Sequence, residues 1–104
     1  MNTKHTTGPW KQGTRGPNGC PIIGNGRGLM IAMLAHSDKV PDQVEQAEAN
    51  ALLIAAAPEM LEALQDAATY LVERGIHIRG VIGRTIILPK MQAAIAKATG
   101  KEGA

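Results

Sequence analysis

The chain predicts an α+β fold: a small antiparallel β-meander of two to three strands packed against two to three α-helices. Three observations carry that expectation. Glycine is dense from residue 13 to 28 and separates short apolar runs. Apolar residues recur at three-to-four spacing from Val44 to Val72. Prolines stand at 41, 58 and 89, each ahead of helix-forming sequence. The first pattern belongs to tight turns between strands, and the other two to amphipathic helices with proline in the first turn.

The elements follow in order. Residues 1–7 are polar and expected to be flexible, as are 101–104. "GPWKQG" reads as an extended piece anchored by Trp10, giving a strand at about 8–13. Pro17-Asn18-Gly19 is a turn signature, with proline presetting φ and glycine accepting positive φ. "CPII" then gives a strand at about 20–24, with Pro21 at its start or on an edge. Gly24-Asn25-Gly26 contains the Asn-Gly hairpin dipeptide. "GLMIAMLAH" is a continuous apolar run and predicts a strand at about 28–35 with at least one buried face.

The helices come next. Ser37 or Asp38 is placed to cap, Pro41 suits the first turn, and Asp42 and Glu45 suit the positive end of the helix dipole. The core stripe is Val44, Ala47, Ala51 and Ile54/Ala55, widened by Leu52 and Leu53, over about 41–56. Pro58 cannot continue that helix without losing a hydrogen bond, at a cost of about 3 kcal/mol. It opens a second one, about 58–74. Here Met60/Leu61, Leu64, Ala67/Ala68 and Leu71/Val72 face inward, and Glu59, Glu62, Gln65, Asp66 and Glu73 face mostly outward. Arg74 and Gly75 suit its end. "ANALLIAAAPEMLEAL" is thus read as two helices meeting at a tight corner. "IHIRGVIGRTIILPK" holds a short strand at about 84–88 or irregular packed chain. "PKMQAAIAKATG" restarts a helix at about 89–99, with Met91, Ala94, Ile95 and Ala98 on one face.

Composition bounds the rest. The 104 residues predict a single domain, 1–104. Phe is absent, and Trp10 and Tyr70 are the sole aromatic residues of that class, so Leu, Ile, Val, Met and Ala must build a thin core. Such a core favours a homo-oligomer. Cys20 is the single cysteine, so no intrachain disulfide forms. The N-terminus lacks an apolar signal core, and no run reaches a membrane span. The expectation is a cytoplasmic protein with no membrane contact. Charge is segregated: residues 1–37 carry +4, 38–74 carry −6 and 75–104 carry +4. That asymmetry fits either an oriented binding surface or acidic helices pairing with basic flanks.

Catalytic patterns are missing. Gly24-Asn25-Gly26-Arg27-Gly28 lacks the spacing of a dinucleotide loop, and no P-loop Lys-Ser/Thr follows. His5, His36 and His77 with Cys20 have no metal-ligand spacing. Cys20 sits before proline with no local signature of a nucleophile. Glu59, Glu62, Asp66 and Glu73 read as the solvated face of a helix rather than acid–base pairs. No catalytic residue, cofactor or metal is expected. Nucleic acid is the chief rival partner: Arg74, Arg79, Arg84 and Lys90 form one basic stretch, and Lys11, Arg15 and Arg27 another. Against it, stacking rings are few, and the second helix begins Pro58-Glu59 where a recognition helix needs Arg, Asn or Gln. The residues expected to meet a partner are Arg15, Arg27, Arg79 and Arg84, with Trp10 added if it is exposed.

The order "HTTGPW", Gly-rich hairpin, "EANALLIAAAPEMLEAL" and "AAIAKATG" resembles a family of small proteins from bacteriophages and prophages of Proteobacteria. The likeness spans nearly the whole chain. It departs at Thr7, where the family has proline. The resemblance implies a phage genomic setting and supplies no catalytic residue. It implies a non-enzymatic accessory protein that acts by protein–protein binding to a host protein or complex, including inhibition of a defence system such as CRISPR-Cas. The alternative is a small nucleic-acid-binding protein with a basic surface.

Overall fold

The computed structural model describes residues 4–37, 39–73 and 87–101. They form three strands and three helices: β1 Lys11–Gln12, β2 Ile22–Gly24, β3 Met30–Met33, α1 Pro41–Ala55, α2 Ala57–Glu73 and α3 Leu88–Ala98. The fold class is α+β. The chain groups into two compact units, one spanning His5–Glu59 and one holding Lys4 with the described residues from Met60 onward.

The first unit contains the sheet. Its order is β1-β2-β3, all antiparallel. Lys11 pairs with Gly24 and Gln12 with Ile23; Ile22 pairs with Met33 and Ile23 with Ala32. Between Ile23 and Gly24 the register slips, and Gly24 meets Met30. Gly24 is required there, because a Cβ would lie 2.9 Å from the Leu29 carbonyl oxygen. The strands are shorter than the apolar runs suggested. Gly8 and Pro9 stay outside β1: a Cβ on Gly8 would lie 3.0 Å from Pro58 Cβ, so this turn abuts the start of α2. At the other end, Leu34 still donates to the Pro21 carbonyl at 2.9 Å, but the chain then leaves the sheet.

The turns obey local chemistry. Pro17–Gly19 forms one 3-10 turn, with Asn18 at φ 57° and Gly19 at φ 72°. Asparagine tolerates that left-handed region better than most residues. The β2–β3 connection is longer than a two-residue Asn-Gly hairpin. Asn25 Oδ1 accepts from the backbone N–H of Arg27 at 2.7 Å and of Leu29 at 3.1 Å, organising the whole of 25–29.

Helix α1 lies against β1 and β2 and not against β3. Ala47 and Ala51 are buried on α1, and Cys20, Pro21 and Ile23 are buried in the sheet and the chain leading into it; small side chains on the helix allow its close approach to β1 and β2. Ile23 is fully inaccessible, a burial that contributes about 1.5–3 kcal/mol. The expected cap differs. Val40 is the N-cap and makes no side-chain cap. Ser37 instead donates its N–H to Gln43 Oε1 at 3.0 Å, and its Oγ accepts from Lys39 N–H. Asp38 lies outside the described residues. Leu52 and Leu53 do not widen the core: they are 66 % and 59 % exposed. The buried stripe is carried by the smaller Ala47 and Ala51, so the two leucines fall on the opposite side of the helix.

A single residue, Ala56, separates α1 from α2; its N–H still reaches the Leu52 carbonyl at 3.2 Å. Pro58, in the first turn of α2, needs no hydrogen-bond donor, as the sequence predicts. Within the second unit, Ala68 is buried, with Leu61, Leu64 and Leu71 half-buried. Met60 and Val72 are exposed, however, and Gln65 is buried with its Nε2 unpaired among the described residues. Gln65 was expected on the outer face; periodicity alone leaves a boundary position one helical step from either side. Helix α3 opens at Leu88 with Pro89 in its first turn, and Thr99 caps its end by donating to the Ile95 carbonyl at 2.8 Å. The strand expected at 84–88 falls almost wholly outside the described residues.

Candidate interaction surface

The long-range polar contact of the first unit joins the basic loop to α1. Arg15 donates from both guanidinium nitrogens to Glu48, at 2.6 Å to Oε1 and 3.0 Å to Oε2. This forked, charge-assisted geometry fixes orientation as well as distance. The hydrogen bond from Arg15 holds the Glu48 carboxyl below its ordinary value against the opposing desolvation, and the charges of Arg15 and, last, His36 act in the same direction as the bond. Arg15 is raised for the same reason. Its charge is therefore committed within the chain.

The other expected contact residues are differently placed. Arg27 is exposed at the tip of the β2–β3 turn. Its own N–H is taken by Asn25 Oδ1, as is that of Leu29, so these two amides of the glycine-rich turn are committed within the loop. Trp10 is half-buried; its indole N–H donates to the Thr6 carbonyl at 2.9 Å, and its ring meets His5 edge-on at 5.9 Å. Arg79 and Arg84 lie outside the described residues.

The strand expected at about 28–35 is present as β3, but the exposure of its side chains is not foreseen in the sequence. Among the described residues of the first unit, it is an edge strand with no helix against it. Leu29, Met30 and Met33 are exposed along it, Met30 by 58 %. The apolar run "GLMIAMLAH" signalled burial, because a run of this kind is ordinarily covered on at least one face. The signal that could have found it is the pair of methionines, whose flexible, polarizable side chains suit adaptable contact.

Among the described residues there are two open clefts of about 260 Å³ each. One lies beside the end of β3, among Leu34, Ala35, His36, Gln43, Gln46, Ala47 and Asn50. Both His36 ring nitrogens are shielded and without a hydrogen-bond partner among the described residues, so they do not face this cleft as donors or ligands. The other is formed by Ala68, Thr69, Val72 and Glu73 with Gln92. Among the described residues no three His, Cys, Asp or Glu side chains gather as metal ligands, and no helix is long and apolar enough to cross a membrane.

Fold and surface together define a small α+β protein whose first unit has a thin core and an edge strand that α1 leaves uncovered. The family model for the Salmonella phage P22 protein Y8K6 matches residues 1–102, and the chain belongs to that family of small phage proteins. No curated protein and no solved structure matches the chain.

Proposed function

We propose that this is a non-enzymatic phage accessory protein that binds a host protein in the bacterial cytoplasm, with a defence system such as CRISPR-Cas as the class of target. The observation that carries the binding reading is the β3 edge, uncovered among the described residues of the first unit, with Leu29, Met30 and Met33 exposed and Arg27 at its turn. An open edge strand offers main-chain donors and acceptors to an added strand, and alternate side chains give specificity. Natural edges are usually guarded by lysine, proline or a covering element. Within Met30–Met33 there is neither lysine nor proline. Support for a host target is the phage setting of the family.

The rival reading, nucleic-acid binding, depends on a pooled basic surface. Arg15 is already paired with Glu48, which weakens it. The test is affinity purification with mass spectrometry from host lysate, run with the natural chain and with Met30→Lys/Met33→Lys. The expected result is a host protein enriched by the former and lost with the latter, whose melting is unchanged. Absence of any enriched protein, together with tight salt-sensitive DNA binding, would overturn the proposal.

A further inference from the structure

Helix α1 is apolar on two opposite faces. One face, Val44, Ala47, Ala51 and Ile54, turns toward the sheet and is buried or half-buried. The other carries Ala49, Leu52, Leu53 and Ala56, all exposed, where Ala56 is the residue that ends the helix. At 100° per residue these four span little more than a quarter-turn. Leu52 and Leu53, at 66 % and 59 %, are the most exposed large apolar side chains among the described residues. A helix apolar all round is ordinarily covered on both sides. Here, among the described residues, one side lacks its cover.

We infer that a second copy of this chain covers it, through an antiparallel pairing of α1 with α1 about a two-fold axis between Leu52 and Leu53. The order of the stripe is the first reason. Ala-3-Leu-1-Leu-3-Ala reads the same in both directions, so a two-fold axis at its centre sets Leu52 against Leu53 of the partner subunit and Ala49 against Ala56 of the partner subunit. A two-fold interface demands such self-complementarity: if one residue meets another, the converse contact also forms. Alanine at both ends lets the helices approach closely while the leucine pairs fill the centre. Charge is the second reason. The acids on this same face, Asp42 and Glu45, both precede the stripe, and α1 contains no basic residue. A parallel pair would set acid against acid. The antiparallel pair holds the two acidic ends apart and opposes the helix dipoles favourably. The surface lies on α1 alone and is separate from β3, so this pairing and host binding fail or stand independently.

The patch is smaller than the roughly 800 Å² per partner of a standard interface, so the dimer should be weak, populated between about 10 μM and 1 mM. Light scattering across that range should show the mass rising from 10.9 kDa toward twice that value. Leu52→Lys/Leu53→Lys should stay monomeric at every concentration with an unchanged melting temperature. Orientation is read by cysteine pairs. Ala49→Cys/Ala56→Cys should oxidise to a covalent dimer, whereas either single variant should give several-fold less. Within one chain the two positions are about 10.5 Å apart along the helix, too far to close on themselves. A natural chain that stays monomeric throughout would overturn the inference, as would single cysteine variants that cross-link as well as the double one.

Discussion

At the residue scale, two contacts organise the first unit, and each makes a prediction. Glu48 titrates below its ordinary value of 4.5 because Arg15 binds its charged form. A carboxylate with a depressed folded pKa stabilises above its unfolded value and loses that contribution as pH falls through the folded one. The natural chain should therefore lose melting temperature as pH falls below about 4.5 more steeply than Glu48→Gln, and molar salt should narrow the difference because the pair is solvent-exposed. Equal slopes in thermal melts would remove the pair from the account. Trp10 makes the second prediction. Trp10→Phe keeps a smaller aromatic side chain and loses the bond to the Thr6 carbonyl with the rest of the indole, so it should cost at least about 0.5–1.5 kcal/mol in denaturant unfolding. Neither contact was legible in the sequence as a pair. Arg15 and Glu48 are 33 positions apart, and nothing local marks a long-range ion pair. Arg15 was read as a free contact charge for that reason.

At the element scale, local chemistry made the helices legible and the strands less so. Pro41, Pro58 and Pro89 each announce a helix start through the missing N–H, and all three stand in a first turn. The strands were overestimated because apolar runs set no end point: Gly8 is held at Pro58, and Asn25 draws five residues into a turn. Which apolar face of α1 is buried was also hidden. Both faces have helical periodicity, and the sheet selected the one with two alanines. Packing here leaves little slack. Ile23→Ala should cost about 2–5 kcal/mol, and Ala51→Leu, forced into an inaccessible site, about 1–3 kcal/mol, both read from chemical denaturation. Gly24→Ala should also destabilise, since its Cβ meets backbone rather than a movable side chain.

At the scale of the whole molecule, a small chain without phenylalanine buries few large side chains and keeps many outside. Large apolar patches on a soluble protein mark contact surfaces. The phage setting was legible because the "GPW" and "ANALLIAAAPE" strings are distinctive. Their meeting was not: Gly8 of the first rests against Pro58 of the second. Much of what makes the family recognisable is thus a structural joint, whereas the candidate contact surface lies on β3, in a run whose composition signalled core. The sequence could show that β3 was apolar but not that α1 would pack on β1 and β2 and leave it exposed. The most direct test of the central claim is amide hydrogen exchange on the chain alone and in complex with the host protein it captures. The account predicts slowed exchange across Met30–Met33 on binding. Unchanged exchange there, with protection appearing elsewhere, would contradict it.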